Sequence, residues 1–489
     1  MGNPDTELTG FTSLITISGQ QFTLWGGAVV AQRVSVIGAG YLGVSHAVGM
    51  SVLGHDVLVR DVDRERVAAL SSGTLPFYEP GLEQALREQI ESGRLRFTAA
   101  LPEVAEFADV HFICVGTPQR DRKFAADTSF VEAAVETLAR YLRRPCVVVG
   151  KSTVPVGTAD RLAERLAILS PAGHNAELAW NPEFLREGHA LNDTLRPDRL
   201  VFGARSDTAL RALRTVYQSL IDAGIPVVET DFATAELVKV AANAFLATKI
   251  SFINAMAEVC ESAGADVTAL AGALAHDTRI GGQFLAPGIG FGGGCLPKDI
   301  RAFIARADEI GANQAVNFLR EVDSINTRRR TRTVALARAL CDGSLAGRTV
   351  GVWGAAFKPN SDDIRDSPAL EIANAIKQQG ARVQVYDPKA IANARRRYPH
   401  LEYVGSALAA ATNADLILHL TEWTEFGAID PSALATVVAE RKLIDGRGAL
   451  DGPRWRAAGW TVRTLGQASP TEIVAPIPAA VRSATVPPC

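Results

Sequence analysis

The sequence predicts an α/β protein in which two doubly wound parallel-sheet domains are joined by a long central helix. Two segments, 33–61 and 348–387, each contain a strand, a glycine turn, a helix and a second strand that ends at an acidic residue. Between them, residues 231–264 show a helical pattern of roughly 30 residues, which corresponds to a helix about 45 Å long. A chain of 489 residues is too long for one hydrophobic core, so several domains are expected.

The composition indicates a globular protein without a general affinity for nucleic acid. Hydrophobic residues make up 47% of the chain, charged residues make up 21%, and the formal net charge is -3. The apolar content is therefore sufficient for several cores, and any anionic ligand must be held by local positive charge.

The cysteines favour a reducing, cytoplasmic setting. They show neither a C-x-x-C pair nor the spacing of metal ligands, so we expect no disulfide framework and no metal site. No apolar run reaches the ~18 residues of a membrane span, and the N-terminus is acidic where a signal peptide is basic. We therefore expect no association with a membrane. The cysteines are Cys114, Cys146, Cys260, Cys295, Cys341 and Cys489.

The first of the two segments carries the glycine fingerprint of a Rossmann-like dinucleotide-binding fold. Gly38, Gly40 and Gly43 are spaced G-x-G-x-x-G between a strand and a helix, which permits a tight turn and a close approach of pyrophosphate to the helix N-terminus. Asp61 can accept a hydrogen bond from a ribose 2′-hydroxyl and would repel a 2′-phosphate, so the sequence predicts NAD as the cofactor. Arg66 either contacts the adenosine end or is a solvated helix charge.

Two further apolar strands, within 108–118 and 146–158, end in small polar residues. Ligands of doubly wound sheets bind beyond such carboxyl ends of strands. Thr117 and Thr153 are therefore candidate neighbours of cofactor or substrate, although loop hydroxyls also cap helices. On the long helix, Lys239 and Asn243 are four residues apart and share one face within apolar surroundings, where a lysine is otherwise solvated at its tip.

The second segment has a longer turn that carries Lys358 and Arg365. This turn suits a phosphate-bearing ligand that is held differently from a dinucleotide, so we expect a second Rossmann-like unit with a different ligand. Strands are expected in 414–423 and 442–450, and the latter places Arg447 near a strand end.

Cys295 follows the glycine run 290–294 and precedes a predicted helix with Pro297 in its first turn. A helix N-terminus and the neighbouring Lys298 would both lower the pKa of the thiol and favour the nucleophilic thiolate. The alternative is an inert, packed cysteine, for which an accessible glycine loop is a poor location.

A hydride acceptor and a nucleophilic thiol together suggest a four-electron oxidation. An alcohol is oxidised to an aldehyde, the thiolate adds to form a thiohemiacetal, a second hydride transfer gives a thioester, and water releases the acid. Lys239 and Asn243 suit the role of oxyanion donors in this sequence, and a carboxylate is needed to activate water.

The chain resembles the UDP-glucose/GDP-mannose dehydrogenase family, and within it the UDP-glucose branch. The resemblance covers residues 33–468 and rests on "GAGYLG", "VGTP", "STVPVGT", "NPEFLREG", "ELVKVAANAFLATKISFIN", "GFGGGCLPKD" and "AAFKPNSDDIRDSP". It implies NAD-dependent oxidation of UDP-glucose to UDP-glucuronate by a homodimer or higher homo-oligomer. The implied organisation is an NAD domain at 31–218, a central helical dimerisation region at 219–335 and a nucleotide-sugar domain at 345–468. Residues 1–30 lack clear periodicity and precede the resemblance, so we expect a disordered extension there, and the tail at 469–489, which is rich in Pro, Ala and Ser, is expected to be flexible.

The resemblance also implies roles for individual residues. Cys295 would be the nucleophile, Lys239 and Asn243 the oxyanion donors, Asp299 with Thr153 the holders of the catalytic water, and Glu183 the general base. The implied cofactor site comprises Gly38, Gly40, Tyr41, Leu42, Gly43, Asp61, Arg66, Val115, Thr117, Ser152, Glu187, Lys298 and Arg365. The implied substrate site comprises Glu183, Phe184, Leu185, Lys239, Asn243, Arg279, Gly288, Phe291, Gly292, Phe357, Lys358 and Arg447, with Arg279 reaching the substrate of a neighbouring subunit.

Several alternatives stay open at the level of sequence. Without the resemblance, Glu183 and Asp299 are typical of acids that complement helix dipoles. Relatives that oxidise GDP-mannose or UDP-N-acetylmannosamine share the catalytic motifs, so the sugar rests on the resemblance alone. A two-electron hydroxy-acid dehydrogenase would need no thiol, and a non-catalytic NAD or nucleotide-sugar sensor would use the cysteine to detect oxidants.

Overall fold

A computed structural model of the chain describes residues 13–17, 20–24, 31–120 and 124–467, and of the first two segments it describes only the strands. The described residues form two compact units. The first unit comprises the described residues up to Phe245 together with Cys295–Leu319 and Asn360–Asp362. The second unit comprises Leu246–Gly294, Arg320–Pro359 and the described residues from Asp363 onward. The predicted central region 219–335 is therefore divided between the two units.

Sixteen strands occur in the described residues. They are β1 (Ser13–Ile17), β2 (Gln20–Leu24), β3 (Arg33–Ile37), β4 (Asp56–Arg60), β5 (Leu95–Thr98), β6 (Val110–Ile113), β7 (Cys146–Gly150), β8 (Ala176–Trp180), β9 (Leu200–Ala204), β10 (Val227–Thr230), β11 (Thr349–Trp353), β12 (Arg382–Tyr386), β13 (Glu402–Tyr403), β14 (Leu416–His419), β15 (Lys442–Asp445) and β16 (Thr461–Thr464).

The strands confirm the prediction of two parallel-sheet domains. The first unit contains an eight-stranded sheet in the order β10-β9-β8-β7-β6-β3-β4-β5, and the second unit contains a six-stranded sheet in the order β13-β12-β11-β14-β15-β16. The six-stranded sheet is parallel throughout. In the eight-stranded sheet, β8 and β9 pair antiparallel, so β9 and β10 run against the other six strands.

Within residues 1–30, for which we predict no order, β1 and β2 pair as antiparallel strands. These strands read SLITI and QQFTL and contain the β-branched and aromatic residues that favour extended backbone. The rest of this segment and the predicted tail at 469–489 lie outside the described residues.

Nineteen α-helices connect the strands of the described residues, together with short 3₁₀ segments at Gly173–Asn175 and Asn313–Val316. The helices are α1 (Tyr41–Val52), α2 (Arg64–Ser71), α3 (Leu82–Glu91), α4 (Leu101–Phe107), α5 (Ser129–Ala139), α6 (Thr158–Leu169), α7 (Ala190–Leu195), α8 (Asp207–Val216), α9 (Gln218–Asp222), α10 (Phe232–Ala263), α11 (Val267–Ala275), α12 (Leu296–Glu309), α13 (Phe318–Leu340), α14 (Pro368–Gln378), α15 (Ile391–Arg397), α16 (Ala407–Ala411), α17 (Thr424–Gly427), α18 (Pro431–Leu434) and α19 (Gly452–Ala457). The long helix predicted at 231–264 is confirmed as α10.

Among the described residues, α10 is the one helix long and apolar enough to cross a membrane by length and composition. Core helices of globular proteins share both properties. Three polar residues, Glu236, Lys239 and Asn243, lie buried along one side of α10 and bond to groups of the first unit. Those contacts make this part of α10 a core element of the α/β unit.

The eight-stranded sheet is covered on both faces. Along β7, Val147 and Val149 belong to one hydrophobic cluster, while Cys146 and Val148 belong to another on the opposite face. Side chains alternate between the faces of a strand, and a parallel sheet buried on both faces therefore reads as a nearly continuous apolar run. The parallel direction of β3 to β8 brings the carboxyl ends of these six strands to one edge of the sheet.

A buried polar cluster lies at that edge. The ammonium of Lys151, directly after β7, donates to Asn181 Oδ1 at 2.9 Å and to the Tyr217 hydroxyl at 3.3 Å. The Tyr217 hydroxyl donates to the same amide oxygen at 2.7 Å. Burial lowers the pKa of Lys151 to about 8, although Cys114 and Glu183 oppose this shift. The chain therefore holds a lysine whose charged form is destabilised by folding.

The pH dependence of protein stability tests whether folding destabilises the charged form of Lys151. In the folded chain Lys151 loses its proton near pH 8, but in the unfolded chain it keeps the proton to about its ordinary value of 10.5. The unfolded chain binds more protons between these values, so wild type gains stability as the pH rises. We expect the free energy of unfolding of wild type to rise by about 2 kcal/mol relative to that of Lys151→Met between pH 7 and pH 10. Urea unfolding at each pH measures it.

Tyr217→Phe is the matched control, because it disturbs the same cluster but keeps the lysine. Its stability difference from wild type should show no comparable change between the two pH values. A constant difference between Lys151→Met and wild type across that range would contradict a lowered lysine pKa.

Candidate active site

The glycine turn after β3 forms an open cradle at the start of α1. Gly38 has φ +100°, and a Cβ at Gly43 would lie 1.8 Å from the Gly38 carbonyl oxygen, so both positions require glycine. A Cβ at Gly40 would meet no atom within 4 Å, which shows open space beside the helix start. Tyr41 donates its hydroxyl to a buried carboxylate, and Leu42 packs against the core. The geometry fits a dinucleotide pyrophosphate at a helix N-terminus.

Asp61 follows β4 and faces this cradle. Its carboxylate accepts from the Ala39 amide at 2.7 Å and from the Asp63 amide at 2.9 Å, and Arg66 lies 3.3 Å from the same carboxylate. Arg66 thus forms an ion pair with Asp61, and its side chain is 38% exposed. This pairing favours a position at the edge of the cofactor site over the alternative of a fully solvated helix charge. The arrangement suits an acid that receives a ribose hydroxyl.

The ends of β6 and β7 are tied together by side chains predicted to lie near the cofactor. The Ser152 hydroxyl donates to the Val115 carbonyl at 2.6 Å, and the Thr117 hydroxyl donates to the Thr153 carbonyl at 2.7 Å. The Lys298 ammonium lies 3.4 Å from the Thr117 hydroxyl. The structure therefore brings these five predicted site residues together.

Two side chains of α10 each bond to a buried carboxylate, one in the loop after β8 and one at the start of α12. Lys239 lies 3.1 Å from Glu183. One helical turn later, the Asn243 amide donates to Asp299 at 2.7 Å, and the other oxygen of Asp299 lies 2.6 Å from the Lys298 ammonium. Lys239, Asn243 and Asp299 are each less than one-tenth exposed. Buried charges require such partners, so this is a built site rather than a set of solvated helix acids.

Lys239 keeps its charge within this cluster. Burial alone would disfavour its ammonium, but Glu183, Cys295 and Asp299 outweigh burial, so the pKa of Lys239 is raised. A fixed ammonium and the Asn243 amide are the donor types that stabilise a developing oxyanion.

Cys295 is the N-cap residue of α12, and its side chain is exposed to solvent although protein atoms surround it closely. This surrounding desolvates a thiolate, and the carboxylates of Glu183, Asp299 and Glu187 add to the effect, while Lys239 opposes it. The result raises the pKa of the Cys295 thiol to about 12.

The prediction of a lowered thiol pKa at Cys295 is therefore wrong, because the structure raises this pKa. The helix N-terminus is present as predicted, but Lys298 pairs with Asp299 at 2.6 Å. Of the four charges that act most on the thiol, only Asp299 is close in sequence, and three of the four are negative. At neutral pH the thiol is protonated, so a thiolate requires proton transfer to a neighbouring group.

A small cavity adjoins the acid pairs and has a volume of about 20 Å³. Thr153, Lys298 and Asp299 line its polar side, and this volume holds about one water molecule. Within the described ranges, no group of three or more His, Cys, Asp or Glu side chains could hold a metal ion.

The loop after β8 presents Glu183 together with its neighbours. Glu183 accepts from the Leu185 amide at 2.5 Å, and the Phe184 ring lies 5.5 Å from the Lys239 ammonium. Glu187 accepts from the Ser361 hydroxyl at 3.1 Å. The structure thus places all four predicted loop residues on one short segment beside Lys239.

The second unit holds the glycine loop that precedes Cys295. The Gly288 amide donates to Asn254 of α10 at 2.8 Å, and Asn326 of α13 bonds both the amide and the carbonyl of Phe291, at 2.7 and 3.0 Å. A Cβ at Gly292 would lie 2.3 Å from a backbone carbonyl, so this position requires glycine. Buried side chains of two long helices therefore fix the loop.

Arg447, at the end of β15, joins that loop to the turn after β11. Its guanidinium donates to the Phe357 carbonyl at 2.9 Å and lies 3.4 Å from the Gly290 carbonyl. Lys358 follows Phe357 and lies 5.5 Å from its ring centroid. These contacts bring four predicted substrate residues together, namely Gly288, Phe291, Phe357 and Arg447, with Lys358 beside them.

Two predicted site residues lie at exposed positions of the second unit. Arg365 pairs with Asp363 at 2.6 Å, and its guanidinium packs on Gly294, where a Cβ would lie 2.3 Å from it. Arg279 pairs with Asp277 at 2.7 Å and its side chain is 88% exposed. Roles for Arg365 toward a cofactor and for Arg279 toward a neighbouring subunit stay predictions.

The acid at the end of β12 is bonded differently from Asp61. Asp387 accepts from the amides of Ala355 and Ala356 and from the Trp423 indole through one oxygen, at 2.8, 3.0 and 3.1 Å. Its other oxygen accepts from the amides of Lys389 and Ala390, both at 2.8 Å. Internal donors occupy this carboxylate, which agrees with the prediction that the second unit holds a ligand other than a dinucleotide.

Some residues that shape the site were not predicted from the sequence. Lys151 directly precedes Ser152 and Thr153, and a charged residue at the end of a buried strand was the available signal. Glu236 lies three residues before Lys239 on the same face of α10 and accepts from the amides of Gly157 and Ala159 at 2.6 and 2.7 Å. Burial raises the pKa of Glu236 to about 7.

Three family models match consecutive parts of the chain. They describe the UDP-glucose/GDP-mannose dehydrogenase family, with its NAD binding domain at residues 32–221, its central domain at 233–328 and its UDP binding domain at 351–452. A solved UDP-glucose dehydrogenase from Pyrobaculum islandicum is 36% identical with a TM-score of 0.81, covering 90% of this chain and 100% of that one. A solved UDP-D-ManNAc dehydrogenase from Pyrococcus horikoshii is 26% identical with a TM-score of 0.78, covering 89% and 99%.

Curated relatives span nearly the whole chain. The UDP-glucose 6-dehydrogenase of Pseudomonas aeruginosa is 40% identical over 444 residues, which are 89% of this chain and 97% of the relative. That of Rhizobium meliloti is 40% identical over 415 residues, which are 84% of this chain and 94% of the relative. The paired acids, the glycine cradle and the cysteine loop lie within the residues that the family models match, and the chain belongs to the UDP-glucose/GDP-mannose dehydrogenase family.

Proposed function

We propose that the chain catalyses the NAD-dependent, four-electron oxidation of UDP-glucose to UDP-glucuronate. The observation that carries this proposal is the pair of buried donors, Lys239 and Asn243, held by Glu183 and Asp299 near Cys295. A simple two-electron alcohol dehydrogenase needs neither a thiol nor a second carboxylate. The curated relatives at 40% identity are UDP-glucose 6-dehydrogenases, which supports the choice of sugar.

The proposed cofactor is NAD rather than NADP. Asp61 is 6% exposed and lies beside the glycine cradle, where its negative charge would repel a 2′-phosphate. When bound, NAD⁺ would accept one hydride in each of the two oxidation steps. The chain's own residues bind and orient the reactants and move protons.

Lys239 and Asn243 would hold the oxygen on the sugar's C6 carbon. In the first oxidation the C6 carbon would lose a hydride and its hydroxyl would lose a proton to solvent, which leaves an aldehyde. Attack by the Cys295 sulfur then forms the carbon–sulfur bond and places negative charge on this oxygen, where an ammonium and an amide donor stabilise it. Loss of a second hydride gives the thioester.

Glu183 would accept the proton of the Cys295 thiol. As an anion it contributes to the raised pKa of Cys295, so accepting that thiol proton both frees the sulfur and removes one of the charges that disfavour thiolate. Lys239 stabilises the resulting thiolate. Before hydrolysis, Glu183 would release the thiol proton to solvent. Thr153 and Asp299 would then hold the attacking water, Glu183 would take a proton from that water, and the carbon–sulfur bond would break to release the acid, with Glu183 returning its proton to the departing sulfur.

The second unit would bind the UDP portion of the substrate. Lys358 supplies positive charge next to Phe357, and Arg447 holds both the turn and the glycine loop. A glycine loop fixed by buried side chains leaves its remaining backbone groups in place to meet a ligand. The UDP binding domain of the family covers this turn and Arg447.

We also propose a homodimer. Phe245, Phe252 and Val259 lie seven residues apart along α10 and are 67%, 48% and 55% exposed, so they form an apolar stripe on one side of the helix. A second copy of the chain would cover this stripe. Light scattering that finds only a 52.0 kDa species at micromolar concentration would contradict the dimer.

Replacing the thiol tests the covalent step. We expect Cys295→Ser to lower formation of UDP-glucuronate by at least about 1,000-fold, because a neutral hydroxyl is a far weaker nucleophile here and forms no thioester. Cys260→Ser, a change at a buried cysteine outside the cluster, is the matched control and should keep most activity. Acid formation by Cys295→Ser at a rate near wild type would contradict a covalent role for the sulfur.

The stoichiometry and a substrate panel test the whole reaction. UDP-glucose, UDP-galactose, GDP-mannose and UDP-N-acetylmannosamine are each offered with NAD⁺ or NADP⁺, and reduced cofactor and acid product are both measured. We expect UDP-glucose with NAD⁺ to be preferred and to give two NADH per acid. A ratio of one NADH would reject the four-electron reaction, and preference for another sugar would correct the substrate.

A further inference from the structure

Glu79 is a buried carboxylate outside the catalytic cluster that joins two separate segments of the first unit. It lies between α2 and α3 and is 4% exposed. One oxygen accepts from the Tyr41 hydroxyl at 2.5 Å and from the Gly188 amide at 2.7 Å, and the other accepts from the Ala190 amide at 2.8 Å. A single side chain therefore receives three hydrogen bonds from groups far apart in sequence.

The first of these groups belongs to the cofactor cradle. Tyr41 is the first residue of α1 and directly follows Gly40. Burial, followed by the negative charge of Glu79, raises the pKa of the Tyr41 hydroxyl, so it stays protonated and keeps donating across the physiological range. Glu79 thus holds the helix start at which the pyrophosphate would bind.

The other two groups end the loop that carries the acids. Gly188 directly follows Glu187 and has φ +82°, and Ala190 is the first residue of α7. The N-cap residue His189 gives this helix no side-chain cap, so the distant Glu79 supplies the acceptor for its first amide. The carboxylate therefore replaces a local cap.

Both ends of this loop are anchored by buried side chains. At its beginning, Asn181 bonds to Lys151 and to Tyr217, and at its end Glu79 bonds Gly188 and Ala190. Of these two anchors, Glu79 also accepts a hydrogen bond from Tyr41 of the glycine turn. The placement of the loop relative to the cradle therefore depends on Glu79.

We propose that Glu79 is a positioning residue: its carboxylate sets the distance between the cofactor cradle and the loop that carries Glu183 and Glu187. The inference rests on the proposed function, because it concerns the placement of the cofactor beside these acids. Charge-assisted hydrogen bonds to three donors make the distance rigid, and a misplacement by a fraction of an ångström slows a reaction that requires aligned atoms.

Two variants and one control test the role. Glu79→Gln keeps the shape but loses the charge and one acceptor oxygen, and Tyr41→Phe removes a single bond at the cradle. Glu83→Gln is the matched control, because Glu83 is a nearby surface acid that pairs with Arg87. The measurements are NADH affinity by fluorescence, hydrogen exchange of the amides of residues 188 and 190, and kcat and KM with UDP-glucose.

We expect Glu79→Gln to weaken NADH binding about 10-fold, to speed exchange of both amides, and to lower kcat about 10-fold or more. Tyr41→Phe should weaken NADH binding about threefold. The hydrogen exchange rates of the two amides should stay close to those of wild type, because their acceptor, Glu79, remains. Glu83→Gln should match wild type in all three measurements.

NADH affinity within about twofold of wild type in Glu79→Gln, with unchanged amide exchange, would overturn the proposal. A lowered melting temperature with unchanged kcat and NADH affinity would assign Glu79 a structural role only and would overturn it too. Should Glu79→Gln fail to fold, unchanged NADH affinity in Tyr41→Phe has the same meaning. A wild-type chain that binds NADH but oxidises no UDP-glucose contradicts the proposed function, whereas NADH affinity and amide exchange still decide the role of Glu79.

Discussion

The buried ion pair between Lys239 and Glu183 is the interaction on which the site depends. Two cations, Lys239 and Lys298, and two carboxylates, Glu183 and Asp299, lie close together in largely buried positions, and their charges balance. This balance allows the charges to be buried, because an unpaired ion would cost several kcal/mol. Since the partners come from α10, from the loop after β8 and from the start of α12, the pairing also fixes these three segments against one another.

The charges of this cluster also affect the protonation of Cys295. Burial of the sulfur, together with the neighbouring carboxylates, outweighs Lys239 and raises the pKa of the Cys295 thiol, so the thiol is protonated at neutral pH. A protonated thiol resists oxidants, which disfavours a role as a redox sensor. In the proposed mechanism the nucleophile would be produced by a proton transfer to Glu183 rather than by a permanently low pKa. The carboxylate proposed for hydrolysis would thereby also control when the sulfur reacts.

The sequence was sufficient for the elements but not for the charges within the site. Local patterns predicted β3, α1, the long α10 and the helix after Cys295, because glycine turns and hydrophobic periodicity act over a few residues. The low pKa predicted for Cys295 relied on equally local features, the helix start and Lys298. Glu183 is more than 100 positions earlier in the chain, and only the fold shows that it faces the sulfur. Glu79 and Lys151 escaped prediction for the same reason.

The two sheets show why a shared pattern need not mean a shared ligand. Each has a strand, a glycine turn, a helix and an acid at the end of the next strand, but the acids differ in their bonding. Asp61 accepts hydrogen bonds from two backbone amides and forms an ion pair with Arg66. Asp387 accepts hydrogen bonds from four backbone amides and an indole. A carboxylate whose lone pairs are filled by its own chain stabilises a turn and cannot also receive a ribose hydroxyl. The hydrogen bonds of this one acid therefore distinguish the second unit from a dinucleotide-binding unit, although both segments share the order of strand, glycine turn, helix and acid.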